Sequence, residues 1–291
     1  MKNKIVIIVG PTGSGKTSLA VKLAKAINGE LINADAYQVY QEISVGTAKP
    51  SLSELQDISI HLNGTVSIFE DWNIKKFQTL ANETIKEITQ KNKTPIIVGG
   101  SNLYINCLIY NYDLSASERK ENFDNLSNEE LYKFIEEKDK EVAHKIGLNN
   151  RKRLLRAYEI LSEGKSLTKT NEKIYDYLIV FCEMDREKLY DKINNNVDRM
   201  LANGWVNEVN QLYKTYGDKL KSLNAFTAIG YRDILDSICN GITLDVDKIK
   251  TDTRHYAKRQ LTWIKNKYDN LIVFNQENYE EVVGKVEEFL K

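Results

Sequence analysis

The sequence predicts an α/β fold: a parallel sheet flanked by helices, with a small all-helical insertion domain. Three observations carry this expectation. An apolar run at residues 5–9 leads into a glycine-rich turn and then into a helical pattern. Strand-like and helix-like segments go on alternating, as a parallel sheet requires. From about residue 113 the chain turns highly charged and helical, until an apolar strand pattern returns at residue 177.

The first element is the most informative. Residues 5–9 are followed by Gly10-Pro11-Thr12-Gly13-Ser14-Gly15-Lys16-Thr17, then by a helical pattern of Leu19, Val21, Leu23, Ala24 and Ile27 that closes at Gly29. Strand, glycine loop and helix in this order and spacing form a Walker A phosphate loop, so the sheet is expected to be P-loop NTPase-like. Glycines let the backbone curl until its N–H groups point at an anion, and the helix N-terminus adds partial positive charge. Lys16 supplies a full charge. Thr17 supplies a hydroxyl for a phosphate oxygen or Mg²⁺. By itself the loop specifies a phosphate or pyrophosphate, not its carrier.

A short strand is expected at residues 30–34, ending at Asp35. In a parallel sheet, ligands gather at the C-terminal ends of the strands, which places Asp35 beside the phosphate loop. A loop, Gly46-Thr47-Ala48-Lys49-Pro50, adds a cation. Residues 69–91 read as a helix, with Phe77, Leu80, Ala81, Thr84, Ile85 and Ile88 at helical spacing. Residues 94–98 form a buried strand running into a second glycine turn, Gly99-Gly100-Ser101. Its reading as a site wall or as a packing turn stays open. The insertion then offers an acidic helix over 128–145 and, capped by Asn149-Asn150, a helix over 151–161 that ends at Gly164. A strand over 177–182, helices over 186–201 and from Gly204 to Tyr216, a long helix over 246–268, a last strand at 271–274 and an acidic tail helix complete the pattern. The expected core is residues 1–112 with 177–291; the insertion is residues 113–176.

Composition narrows the function classes. The 291 residues are 42% hydrophobic and 28% charged, enough for a normal core, and no apolar run is long enough to span a bilayer. Cys107, Cys182 and Cys239 are scattered without CxxC spacing, which favours a cytoplasmic protein and no structural zinc. His61, His144 and His255 form no metal motif. The 41 basic and 41 acidic residues cancel, but they are unevenly placed. Arg151, Lys152, Arg153, Arg156, Lys165, Lys169 and Lys173 stand against three glutamates between residues 149 and 173. Arg254, Lys258, Arg259, Lys265 and Lys267 stand against no acid between residues 253 and 267. Two basic clusters on a neutral chain point to a local anionic partner.

Several blocks share one resemblance. Ala34-Asp35-Ala36-Tyr37-Gln38-Val39-Tyr40, the Gly46–Pro50 loop, Val98-Gly99-Gly100-Ser101-Asn102-Leu103-Tyr104, Asn150-Arg151-Lys152-Arg153-Leu154-Leu155-Arg156-Ala157, Ile229-Gly230-Tyr231-Arg232 and Thr253-Arg254-His255-Tyr256-Ala257-Lys258-Arg259-Gln260-Leu261-Thr262-Trp263 occur in the order seen in the tRNA dimethylallyltransferases. The chain resembles that family over residues 4 to about 274. The resemblance implies transfer of a dimethylallyl group from dimethylallyl diphosphate to the exocyclic amine of the adenosine 3′ of the anticodon in certain tRNAs. It also implies a monomeric enzyme that uses Mg²⁺. By position it makes Asp35 the base, and it makes Gly10 to Thr17 the diphosphate loop, with Lys16, Thr17 and Arg232 on the leaving group. Asp35, Ala36, Tyr37 and Gln38, together with Arg151, Arg153, Arg156, Arg254, Lys258 and Arg259, become tRNA contacts.

The chain departs from the family pattern in four places. Ala36 stands where a serine usually follows the aspartate, His61 is alone where a pair is usual, the insertion is short, and Thr227 replaces an arginine upstream of Ile229. Three other readings compete: an ATP-dependent small-molecule kinase, an isopentenyltransferase acting on free adenine nucleotide, and a non-catalytic RNA-binding protein with a relic loop. A kinase has no need of the Asp35, Gly46 and Arg254 blocks together. A free-nucleotide enzyme has no need of the basic insertion. Intact Lys16, Thr17 and Asp35 argue against a relic.

Overall fold

The computed structural model describes residues 2–112, 123, 125–164 and 173–291. They fall into two compact units, residues 1–109 with 173–291, and residues 110–172. Lys165 and Lys169 of the first basic cluster, and residues 113–122 and 124 of the insertion, lie outside the described residues.

The larger unit is built on one six-stranded sheet. In chain order its first half contains β1 (Lys4–Val9), α1 (Lys16–Ala26), β2 (Gly29–Asn33), α2 (Leu52–Leu55), β3 (Ile60–His61), α3 (Ile74–Gln90), β4 (Thr94–Val98) and α4 (Asn102–Ile109). In the smaller unit lie α5 (Asn128–Lys138), α6 (Lys140–Ile146) and α7 (Arg151–Ser162). The larger unit resumes with β5 (Asp176–Cys182), α8 (Arg186–Ala202), α9 (Trp205–Tyr216), two 3₁₀ turns, α10 (Tyr231–Asn240), α11 (Val246–Lys267), β6 (Ile272–Phe274) and α12 (Tyr279–Leu290). The strand order is β3-β2-β4-β1-β5-β6 and every pairing is parallel. Ile5 to Val9 are all fully buried, as expected of a central strand covered on both faces. Val6, Ile8, Ile96, Val98 and Val180 share one core with Leu19 and Leu23 of α1 and with Val282 and Val286 of α12. On the other side, α3 packs on β4 and α4.

Two expectations need adjusting, each for a capping reason. The helix expected over 69–91 begins at Ile74, because Asn73 is extended and its side chain accepts from the N–H groups of Lys75 and Lys76. The acidic helix expected over 128–145 is two helices. Asp139 is extended between them, and its carboxylate caps the second by accepting from Val142 N at 3.0 Å. Helices α4 and α10 escaped the periodicity reading. The first is short and nearly all apolar, so its pattern fits a strand as well as a helix.

In the smaller unit, α5, α6 and α7 close on Leu131, Ile135, Ala143, Leu154 and Ala157. Arg151 is part of that framework: its Nη1 donates to Leu126 O at 2.8 Å and to Asn128 Oδ1 at 3.1 Å. Arg156 pairs with Glu159 at 3.1 Å. Lys152 and Arg153 are exposed. His61 also has a structural place, bonding the buried Glu30 carboxylate at 2.7 Å across β2 and β3, with Lys93 on the other oxygen at 2.7 Å.

Candidate active site

The sheet register brings the functional loops to one level. Ile8 and Asn33 both pair with Val98, and Val9 pairs with Phe181, so β1, β2, β4 and β5 end together. Backbone bonds tie the turns that follow: Ala34 N to Val98 O at 2.8 Å, and Ser101 N to Ala34 O at 3.1 Å. Above this edge lies a cleft of about 410 Å³. It forms beside β1, where the strand order reverses, as the topology of open α/β sheets demands.

Its floor is the phosphate loop. Gly13 and Gly15 hold φ of +81° and +87°, a conformation that favours glycine, and Gly15 opens helix α1. The buried Ser14 Oγ has no hydrogen-bond partner. The Lys16 ammonium curls back to donate to Pro11 O at 2.8 Å. Burial lowers its pKa, while Cys182 and Asp35 act in the opposite sense. Thr12, Gly13, Gly15, Lys16 and Thr17 all line the cleft.

Asp35 lines the same cleft, one residue beyond the end of β2 and Ala34. Its Oδ1 accepts from the N–H groups of Tyr37 at 2.9 Å and Gln38 at 3.3 Å, and its own N–H donates to Asn33 Oδ1 at 3.2 Å. One carboxylate oxygen therefore organises the turn that follows. The other has no hydrogen-bond partner among the described residues. Ala36 contributes its N–H, donated to Ser101 Oγ at 3.0 Å. Tyr37 is tied by its hydroxyl to Thr227 Oγ1 at 3.0 Å. Gln38 lines the cleft and donates its amide to the carbonyls of Thr47 and Ala48 at 3.0 and 3.1 Å.

One wall was not anticipated from the sequence. Lys192, Asn195, Asn196 and Arg199 occupy one face of α8 and line the cleft beside the phosphate loop, where a Cβ on Gly13 would lie 3.7 Å from Asn196 Nδ2. Their i, i+3, i+4, i+7 spacing is visible in the sequence, but a polar helix stripe reads equally well as a solvated face. Tyr256 and Gln260 come from α11. Arg232 is placed differently from expectation. It is exposed on the first turn of α10 and is not among the cleft residues; the preceding Tyr231 is the buried one. Arg254 is also turned inward, bonding Asn194 Oδ1 of α8 at 2.6 Å and Thr251 at 2.8 Å. Lys258 and Arg259 remain exposed, Arg259 lying over the Tyr256 ring at 5.8 Å.

The Gly46 and Gly230 blocks converge on one framework. A Cβ on Gly46 would fall 2.0 Å from Nε1 of the buried Trp205, and one on Gly230 would fall 2.3 Å from the same indole. Glu208 Oε2 accepts from Ser44 N at 2.8 Å and Val45 N at 2.9 Å. Its Oε1 accepts the Tyr231 hydroxyl at 2.7 Å, and that hydroxyl accepts from Gly46 N at 3.1 Å. Lys49 is used in the same way, donating to the carbonyls of Tyr40 and Gln41. These motifs hold the loop that carries Thr47 and Ala48 to the cleft.

A phosphate loop at the switch point of an all-parallel sheet, with a half-free carboxylate across the cleft, defines an α/β protein of the P-loop class. The IPP transferase family profile matches residues 38–267. The chain is 43% identical to a tRNA dimethylallyltransferase of Malacoplasma penetrans, over 100% of this chain and 99% of the relative. It is similar to the crystal structure of a tRNA isopentenylpyrophosphate transferase from Staphylococcus epidermidis, with a TM-score of 0.74, 36% identity and 99% of each chain covered. Another similar structure is that of a eukaryotic dimethylallyltransferase acting on tRNA, with a TM-score of 0.84 and 27% identity, covering 98% of this chain and 77% of that one. The chain belongs to the tRNA dimethylallyltransferase family of prenyltransferase enzymes.

Proposed function

We propose that the protein transfers the dimethylallyl group of dimethylallyl diphosphate to the N6 amine of the adenosine 3′ of the anticodon in tRNA, releasing diphosphate. The observation that carries this reading is the pairing, across one cleft, of a phosphate loop with a carboxylate that has one oxygen anchored and one without a partner. The allylic C–O bond breaks as the N6–C bond forms. The diphosphate departs with the bonding electrons, and the amine gives one proton to Asp35. An adenine amine is a weak nucleophile, so a base within hydrogen-bond reach matters most as the new bond forms. The target base has to leave its stack to reach such a cleft.

The loop amides from Gly13 to Thr17, the Lys16 ammonium and the cations of α8 stabilise the charge gathering on the diphosphate. Lys192 and Arg199 take this role in place of Arg232. Mg²⁺ fits the donor set, because the Thr17 hydroxyl lines the cleft and is a hard oxygen donor of the kind that ion takes together with phosphate oxygens. The ion would be held by Thr17 and the diphosphate oxygens, and would supply Lewis-acid stabilisation of the leaving group. Unpaired thiols, two of them buried, support work in a reducing cytoplasm. No helix among the described residues is long and apolar enough to cross a membrane.

The purified protein is expected to move the C5 group from dimethylallyl diphosphate to unmodified tRNA with Mg²⁺ present, read as a new N6-prenyl nucleoside by mass spectrometry. Transfer or hydrolysis of the ATP γ-phosphate with tRNA left unmodified would instead establish the kinase reading. The insertion, here residues 110–172, is proposed to grip the anticodon stem-loop through phosphates, with Lys152 and Arg153 as its free cations on α7. Arg153→Glu is expected to weaken tRNA binding and to flatten the log–log salt dependence by about one unit of slope. A filter-binding series across salt concentrations checks this, and an unchanged slope returns α7 to a plain solvated face.

A further inference from the structure

Gln260 is a long polar side chain that is only 4% exposed, in the middle of a basic helix. Its amide spans the two glycine turns. Oε1 accepts the N–H of Thr12 in the phosphate loop at 2.8 Å, and Nε2 donates to the carbonyl of Gly100, beyond β4, at 3.0 Å. Only a primary amide offers an acceptor and a donor from one planar head at this length. The β4 turn is shaped to admit it: a Cβ on Gly100 would lie 2.2 Å from Nε2.

This bridge has a consequence for the anion. The Thr12 N–H is engaged by Gln260, so the Pro11–Thr12 peptide at the entry to the loop has a fixed direction before any ligand arrives. The remaining cradle, Gly13 to Thr17, then starts from a defined point. We infer that Gln260 is a positioning residue for the diphosphate: it locks the phosphate loop to the β4 turn and so holds the cradle in its binding conformation. It touches no reacting atom. The inference rests on the proposal that this cleft takes dimethylallyl diphosphate. Without the lock the loop populates other conformations, and apparent affinity falls by the fraction that is still competent.

Two substitutions break the bridge from opposite sides. Gln260→Met keeps length and volume and removes both hydrogen bonds. Gly100→Ala leaves Gln260 intact and pushes its amide aside; Gly100 has no left-handed φ, so alanine suits the backbone. Titration calorimetry with inorganic diphosphate on the full-length protein is the first reading, because it needs neither tRNA nor chemistry. Binding by the unsubstituted protein tests the assignment of the cleft itself. With that in hand, each variant is expected to raise the diphosphate Kd and the KM for dimethylallyl diphosphate about tenfold, with kcat at saturation and tRNA Kd changed by less than about threefold. A purely structural role lowers the melting temperature and the active fraction but leaves both constants of the folded protein in place. Diphosphate Kd values within about twofold of the parent in the folded variants overturn the inference. If Gln260→Met does not fold, Gly100→Ala decides alone.

Discussion

Asp35→Asn lowers kcat for prenyl transfer by about a thousandfold, within the range that a positioned general base contributes, and leaves the tRNA Kd within about threefold. The choice of asparagine follows from the two oxygens of Asp35. Oδ1 accepts from Tyr37 N and Gln38 N, and thereby shapes the chain from residue 35 to residue 40. The asparagine Oδ1 accepts the same two bonds, so the turn survives. Only the partnerless oxygen changes, from a carboxylate acceptor to an amide donor that cannot take a proton from the adenosine amine. Asp35→Ala is a harsher change. It removes the base and also the acceptor for two backbone N–H groups, so it loosens the Tyr37 and Gln38 wall and is expected to weaken tRNA binding as well. Single-turnover transfer with enzyme in excess, alongside equilibrium tRNA binding, separates the effects. Normal single-turnover chemistry in Asp35→Asn with impaired tRNA binding removes Asp35 from the role of base and leaves it a turn residue.

The contrast between Asp35 and Gln260 shows which parts of the candidate site were legible in the sequence. Asp35 stands directly after a short apolar strand, and in a parallel sheet the strand end alone places it near the phosphate loop. The loop itself was legible because strand, glycines and helix are contiguous. Gln260, Lys192 and Arg199 lie on long helices, where hydrophobic period tells which face packs but not which polar residue is drawn into a cleft. The basic blocks make the same point. Arg151 and Arg254 look like free cations by composition, yet each is bonded to protein oxygens, while Lys152, Arg153, Lys258 and Arg259 in the same blocks are exposed. Charge density identifies a cluster; only packing sorts its members. Gly46, Gly230 and Glu208 were out of reach for a related reason. Their joint constraint is the Trp205 indole and the Tyr231 hydroxyl, brought together by segments about 160 to 185 residues apart in the chain.

Lys16→Met is expected to lower kcat/KM for dimethylallyl diphosphate by about a thousandfold, or roughly 4 kcal/mol, the scale of removing one preorganised donor from a developing oxyanion. Methionine fills the same space, so loss of charge and not of packing is what the assay reads. Among the described residues the ammonium donates to a single carbonyl, that of Pro11. Burial lowers its pKa from the ordinary lysine value of 10.5, so it loses its proton at a lower pH than an exposed lysine. A bound diphosphate favours the charged form and raises that pKa again. Binding therefore takes up a proton between the two values. Diphosphate affinity is at its strongest below the pKa of the unliganded protein and falls as pH rises through it, in a window that opens below 10.5. Lys16→Arg keeps a charge at every accessible pH, so it is expected to flatten that alkaline fall even where its bulkier head binds more weakly. The profile of diphosphate affinity against pH for the parent and the two variants tests both parts. If the alkaline fall persists in Lys16→Met, the titrating group is another residue, and Lys16 contributes only its fixed position in the loop.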